Sequence, residues 1–463
     1  MPSPSADPGA GTVVCVDFGS TFTKAGLVDL ARGRIVAAAS HPTTIGTDVL
    51  DGYDACLARL VEQDPRAADA AVLACSSAGG GLRIAVVGNE ELVTAEAGRR
   101  VALSSGGRVV AVLSGGLDDA ALSRLRAAEP DVLLLVGGTD GGNAEVLEAD
   151  AGLLSRSGWS GPVVVAGNVE SQDLIEARFR ESRTPYVLAD NVVPRIGVLA
   201  PDSARSAIRE VFLAHVIGGK HLSSRADFVA MVAGATPDVV LTGVELLSRG
   251  LDEERPGAGD VVVVDVGGAT TDVHSVVELD PEDAGLAREV VATTPVTRTV
   301  EGDLGMRWSA VTTAAGAGFD DLAEAAALRQ ADPGFLPADD AGAEDDEALA
   351  RAAVGLALRR HAGRSKVVLS PEGRVVERTG KDLREVGLLI GSGGVLRNGR
   401  PGVAERVFAG STGADVDGGW QLPRAPRTVV DHDYVLAAAG LLARTHPEAA
   451  YGLVRRLSHA PGE

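Results

Sequence analysis

Two stretches of the sequence repeat one local pattern, and that repetition limits the folds open to the chain. Val13-Val-Cys-Val-Asp-Phe-Gly-Ser-Thr-Phe-Thr-Lys24 and Val261-Val-Val-Val-Asp-Val-Gly-Gly-Ala-Thr-Thr-Asp272 each run four apolar residues into Asp-x-Gly. Small and hydroxyl residues follow. An apolar run of this length reads as a buried strand, and the glycine allows a sharp turn into a returning strand. Without side chains at the turn, phosphate oxygens can approach backbone N–H groups, and Ser and Thr add hydroxyl donors. The candidates are Gly19, Ser20 and Thr21 in the first loop and Gly267, Gly268, Thr270 and Thr271 in the second. A carboxylate repels phosphate, so Asp17 and Asp265 are expected to work through Mg²⁺ and its waters. They would also orient the attacking water, with Asp272 as a supporting acid. Lys24 either neutralises phosphate charge or lies on the strand surface. Two such loops about 250 residues apart imply a duplicated fold that clamps one phosphate chain between its halves.

A third segment fits the same ligand. Val386-Gly-Leu-Leu-Ile-Gly-Ser-Gly-Gly-Val-Leu-Arg397 runs a buried strand into Gly391, Ser392, Gly393 and Gly394, a flat backbone surface for purine and ribose. Two helices, Pro237–Gly250 and Asp433–Leu442, carry small residues at Gly243 and Ala437–Gly440 that permit close crossing at a hinge.

Between the first loop and these helices the pattern changes. Val109–Leu113, Val132–Val136, Val163–Ala166 and Tyr186–Ala189 read as buried strands. Asp118–Ala128, Asn143–Leu154 and Ser171–Arg180 read as the helices between them. This alternation implies a doubly wound parallel sheet. Its loops Gly137–Asn143 and Gly167-Asn168 lie at strand ends, where ligands tend to bind. The expected organisation is a first lobe over 11–100, an inserted α/β module over 101–200, a return to the first lobe over 201–259, and a second lobe over 260–455. The acidic stretch Ala331–Ala348 reads as a solvated loop.

Composition sets limits on partners. Hydrophobic residues make up 45% of 463 positions and aromatics 3%, which suits α/β layers packed from small aliphatic side chains. A formal charge of −21 disfavours nucleic acid and anionic membranes. Cys15, Cys56 and Cys75 have no disulfide or zinc spacing and read as core residues in a reducing compartment. His274 reads as structural. No window reaches the roughly 18 apolar residues of a membrane span. Met1–Ala10 lacks the basic and apolar pattern of a leader. A cytoplasmic protein is expected.

The order of the segments resembles the actin, heat-shock-chaperone and sugar-kinase superfamily: two phosphate loops, an adenosine loop and two connecting helices. Fuller strings are more particular. Val16-Asp-Phe-Gly-Ser-Thr-Phe-Thr-Lys24, Cys75-Ser-Ser-Ala-Gly-Gly-Gly-Leu-Arg83 and Gly137-Gly-Thr-Asp-Gly-Gly-Asn143 occur with Asp265-Val-Gly-Gly-Ala-Thr-Thr-Asp-Val-His-Ser275 and Arg298-Thr-Val-Glu-Gly-Asp-Leu-Gly-Met-Arg307. This set resembles the glutamate mutase accessory family, called MutL or GlmL and unrelated to the mismatch-repair protein of the same first name. The resemblance implies two actin-like (ribonuclease H-like) lobes with the α/β module inserted in the first. It implies ATP or ADP with Mg²⁺ as ligands, and places Asp303 and Gly305 beside the nucleotide. It also implies an ATP-dependent chaperone or reactivating factor with weak ATPase activity, acting on an adenosylcobalamin-dependent mutase. The inserted module is the expected point of contact with that mutase. It lacks the Asp-x-His-x-x-Gly signature of cobalamin ligation, so cobalamin itself is not expected there. The alternatives are a small-molecule kinase of the same fold and a nucleotide-gated scaffold without turnover. A homodimer stays open.

Overall fold

The computed structural model of the chain describes residues 11–278, 294–370, 373–413 and 419–459. The leader reading of Met1–Ala10 lies outside the described residues. The chain forms two compact units, one ending at Leu241 and the next beginning at Thr242. The helix Thr236–Arg249 runs through that division.

The first unit starts with three antiparallel strands, β1 (Thr12–Phe18), β2 (Phe22–Asp29) and β3 (Arg34–Pro42). The helix Val49–Gln63 follows, started by Asp48, whose carboxylate accepts the Leu50 N–H. Strand β4 (Ala71–Ser76) then pairs parallel to β1.

Next comes the inserted module, with β5 (Leu82–Gly88), β6 (Gly107–Ser114), β7 (Val132–Leu135), β8 (Val163–Val165) and β9 (Tyr186–Leu188). All pair in parallel in the order β6-β5-β7-β8-β9, the flavodoxin-like arrangement. β5 begins well before residue 101. Gly79, Gly80 and Gly81, all at left-handed φ, turn the chain out of β4 and straight into this strand. Beyond the module, β10 (Val232–Ala235) returns to the first sheet and pairs parallel to β4.

The second unit opens with a short hairpin, β11 (Gly250–Asp252) and β12 (Arg255–Pro256). Its main antiparallel strands are β13 (Val261–Val266), β14 (Thr271–Val276) and β15 (Val296–Glu301). A separate hairpin, β16 (Arg364–Ser370) and β17 (Gly373–Thr379), precedes β18 (Leu388–Ser392) and β19 (Arg427–Val430). β18 pairs parallel to β13, and β19 parallel to β18.

The two main sheets therefore share one plan. The first reads β10-β4-β1-β2-β3 and the second β19-β18-β13-β14-β15. In each, the first three strands of the repeat are antiparallel and the last two run parallel to the first. This is the actin-like, ribonuclease H-like lobe, present twice, with the α/β module inserted in the first copy. The apolar run before each aspartate is the central strand of its sheet. Val261, Val262, Val263 and Val264 are fully buried, each such valine contributing roughly 1.5 kcal/mol or more.

The acidic stretch Ala331–Ala348 is not a solvated loop. It contains the end of the helix Ala323–Ala331 and the start of the 22-residue helix Asp340–His361. Asp339 caps the latter by accepting the Gly342 N–H at 2.8 Å. Two of the acids are buried and paired. Arg329 Nε donates to Asp346 at 2.5 Å. Arg406 and Arg400 donate to both oxygens of Glu347. These arginines, Arg406 foremost, hold the Glu347 carboxyl down at about 2. Charge that looked solvent-bound is neutralised by arginines distant in sequence.

Candidate functional site

The two Asp-x-Gly segments fold into the same hairpin. In the first, Asp17 faces Lys24 across the β1–β2 ladder and Phe18 faces Thr23. In the second, Asp265 faces Asp272 and Val266 faces Thr271. The Gly19 N–H donates to the Phe22 carbonyl at 3.2 Å, and the Gly267 N–H to the Thr270 carbonyl at 2.9 Å. A Cβ at Gly19 would sit 2.7 Å from Phe22 O, and one at Gly267 2.9 Å from Thr270 O. Each turn thus requires glycine at that position because the chain folds back onto it.

Asp17 is half-hidden and well partnered. Thr236 Oγ1, the first residue after β10, donates to Asp17 Oδ1 at 2.7 Å. Lys24 Nζ lies 3.5 Å from Asp17 Oδ2, so its charge is directed to the aspartate. Cys75 faces Asp17 on β4, its Sγ 3.7 Å from Oδ1. Burial and the Asp17 charge push that thiol well up, which keeps it protonated. Ser20 is exposed, and Gly19 and Thr21 are partly so.

In the second unit a further segment braces the hairpin. Met306 N–H donates to Gly267 O, and the N–H groups of Arg307 and Trp308 both donate to Gly268 O. Ser309 Oγ donates to Ala269 O at 2.7 Å. A Cβ at Gly305 would meet Ala269 backbone at 2.6 Å. Gly305 therefore packs directly on the second loop. Asp303 is turned elsewhere, half-exposed and ion-paired with Arg360, which draws its carboxyl down. Thr271 is fully buried and its hydroxyl finds no hydrogen-bond partner among the described residues. Asp272 is held by the buried Arg298 on Oδ1 and by Thr270 Oγ1 on Oδ2 at 3.1 Å. His274 is buried beside Arg298 on the facing strand. Burial first, then the Arg298 charge, pushes its imidazole down to about 3.

The Gly391–Gly394 loop meets this hairpin. Ser392 faces Asp265 in the parallel register of β13 and β18. Gly393 has φ +107°, and a Cβ there would lie 2.2 Å from Val266 O. Gly391 is small for another reason, because Leu396 and Phe408 fill the space beside it. Nothing lies within 4 Å of a Cβ at Gly394, which leaves room on that face.

The sequence reading missed Asp431, the first residue after β19. Its N–H donates to Gly391 O, and its carboxylate accepts the N–H groups of Val435 and Leu436. It thereby caps the helix Val435–Leu442. It is buried, and burial, with the charges of Asp433 and Asp265, raises its carboxyl to about 6. The one available signal was an acid directly after a β-branched run and just ahead of an apolar helix. Arg397, also missed, lies over the Tyr434 ring at 4.5 Å. Helix Thr236–Arg249 crosses the Val435–Leu442 helix closely at Gly243, where a Cβ would lie 2.2 Å from Leu436 O.

Residues 13–457 match the family model described as MutL protein. The chain belongs to the MutL family, the glutamate mutase accessory proteins. Protein MutL of Clostridium tetanomorphum is 36% identical over 455 residues, a match covering 95% of this chain and 98% of that protein. Two solved structures were also found similar. The activator of the 2-hydroxyisocaproyl-CoA dehydratase from Clostridium difficile is 10% identical, with TM-score 0.30 and 95% of each chain covered. The xylulose kinase from Bifidobacterium adolescentis is 11% identical, with TM-score 0.31 and 97% of this chain and 94% of that one covered. The fold of this MutL family member rests on its two sheet orders and not on such distant likenesses. Among the described residues no helix is long and apolar enough to cross a membrane.

Proposed function

We propose that this chain is an ATP-binding accessory protein that acts as a chaperone or reactivating factor for an adenosylcobalamin-dependent mutase. The observation that carries the ATP reading is the repeated hairpin, with the same register and the same glycine-dependent turn after Asp17 and Asp265. The mutase reading follows from membership of the glutamate mutase accessory family.

In this reading Gly19, Ser20 and Thr21, with Gly267, Gly268 and Thr270, bind the phosphates through N–H and hydroxyl donors. Gly393 and Gly394 lie along adenosine. Partly exposed carboxylates at glycine turns suit a cation that keeps several of its waters, so Asp17 and Asp265 are assigned to hydrated Mg²⁺. That ion would supply charge neutralisation to the phosphates. Rapid transfer to a metabolite would need a carboxylate placed to take a hydroxyl proton. Asp272 instead engages Arg298 and Thr270, which favours slow hydrolysis over a kinase. Asp272 is assigned a positioning role.

Turnover assays with and without a purified adenosylcobalamin-dependent glutamate mutase test the proposal. The expected result is MgATP binding, slow hydrolysis by the chain alone, and ATP-dependent recovery of mutase that has lost its cofactor activity. Rapid phosphorylation of a small metabolite with no protein partner would overturn it. Binding without hydrolysis under every condition would leave a scaffold instead.

A further inference from the structure

The inserted module sends every loop after its five parallel strands to one edge, where hydrogen bonds tie them into two groups, those after β5 and β6 and those after β7, β8 and β9, which meet where Asn89 packs beside Gly137. Gly115 N–H donates to Asn89 O, joining the loops after β6 and β5. Asn168 donates from its backbone to Gly137 O and from Nδ2 to Gly142 O, joining those after β8 and β7. Asn191 Nδ2 donates to Gly138 O and to Asp140 Oδ1, joining the loop after β9. The polar groups best placed to hold a small ligand at this edge are thus occupied by the edge itself.

What the edge leaves exposed is apolar and acidic. Leu92 is 70% exposed and Ile196 80%. Val169 and Val198 add further exposed apolar surface from two of the loops. All four lie beyond the carboxyl ends of strands, Leu92 and Val169 in the short helical turns Glu91–Ala95 and Val169–Ser171 and the other two in the loop after β9. In the loops at the amino ends of β6, β7, β8 and β9 no large apolar residue is comparably exposed. Exposed apolar side chains gathered in one place mark interaction sites. Around them stand the exposed carboxylates Glu90, Glu91, Asp118, Asp140, Glu170 and Asp190, against one exposed cation, Arg195.

We propose that this carboxyl edge docks a protein whose surface has an apolar centre and a rim of lysines and arginines. A second copy of this chain would set carboxylates against carboxylates, which disfavours self-association here. Backbone hydrogen bonds from Ala95 to Glu90, from Val198 to Arg195 and from Ala200 to Val192 already fix the segments that carry Leu92, Ile196 and Val198, so little ordering is needed on docking. Naming the mutase as the partner rests on the function proposed above.

The test is hydrogen–deuterium exchange of the full chain with and without purified adenosylcobalamin-dependent glutamate mutase. It is paired with affinity measurements on the double variant Leu92→Asp/Ile196→Asp. Protection is expected over residues 89–92, 139–143, 169–170 and 195–198, weakening as salt is raised. The double variant should lose at least about tenfold in mutase affinity while binding MgATP as the parent does. The control Leu336→Asp, at an exposed apolar residue of the second unit, should bind the mutase normally. Protection elsewhere, with the double variant binding as the parent, would overturn the docking edge and leave the proposed function standing. No mutase binding by a parent chain that still binds MgATP would overturn the mutase reading and this docking with it. Concentration-dependent self-association abolished by the double variant would assign the edge to a second copy and overturn the proposal.

Discussion

The two hairpins share a backbone and divide the charge. At the position facing the aspartate, the first has Lys24 and the second has Asp272. At the position following the fifth strand, the first has Thr236, a neutral donor to Asp17, and the second has the buried carboxyl of Asp431. The two hairpins share the turn, where geometry requires glycine, and differ in the side chains around the aspartates. The first half surrounds its aspartate with a cation and hydroxyl and thiol groups. The second gathers Asp265, Asp272 and Asp431, and pins Asp272 with Arg298.

The largest expected effect comes from removing Arg298. Its Ala variant leaves the half-buried Asp272 without its cation, which should cost about 3 kcal/mol, the low end for a buried pair. Denaturant unfolding would read this as a large fall in midpoint. A loss under about 1 kcal/mol would mean that Asp272 is as solvated as a surface acid, and the asymmetry between the hairpins would weaken.

Asp431→Asn should act in the opposite direction. The folded carboxyl titrates at about 6, above its unfolded value near 3.8, so the folded state binds more protons across that window. Stability attributable to this group is therefore highest below the unfolded value and falls as pH rises from about 4 to 6. The Asn variant should remove that slope and gain up to about 3 kcal/mol at neutral pH. Equal slopes in parent and variant would show that Asp431 is ionised at little cost. His274, held down at about 3, has the opposite slope. Its neutral form is bound by the fold, so stability is full above about pH 6.5 and is lost as pH falls toward 3.

Gly19→Ala and Gly267→Ala sharpen the comparison most evenly. Both place a Cβ under 3 Å from a carbonyl oxygen, so each should cost roughly 1–3 kcal/mol and weaken MgATP binding to a similar degree. A large effect from one and none from the other would break the equivalence of the turns. The smallest effect belongs to Lys24→Met. Its pair with Asp17 is partly solvated and should contribute under about 1 kcal/mol to stability. A nucleotide-affinity loss larger than its stability loss would assign Lys24 to the phosphates.

How legible this was depended on distance along the chain. The hairpins could be read because strand, turn and return lie within about a dozen residues and each residue type has a local reason. The lobe duplication followed from them. The inserted sheet was legible from Val109 onward, but its first strand at Leu82–Gly88 was hidden behind three consecutive glycines. The partners of the aspartates were not legible. Thr236 lies 219 residues from Asp17, and Arg298 lies 26 from Asp272. The acids of Ala331–Ala348 misled for the same reason, since Arg400 and Arg406 lie 53 and 59 residues from Glu347. The glycine run points Gly391 to adenosine by pattern, and the structure supplies a packing reason for its missing side chain in Phe408 and Leu396. Residue type alone points Thr271 to a phosphate, and its place on β14 buries it.

The most direct test of the proposed MgATP binding is calorimetric titration of MgATP into the parent chain, Asp17→Asn and Asp265→Asn. The proposal predicts at least about tenfold weaker binding for each variant, as for loss of a charged contact. Parent-like affinity in either variant would contradict it.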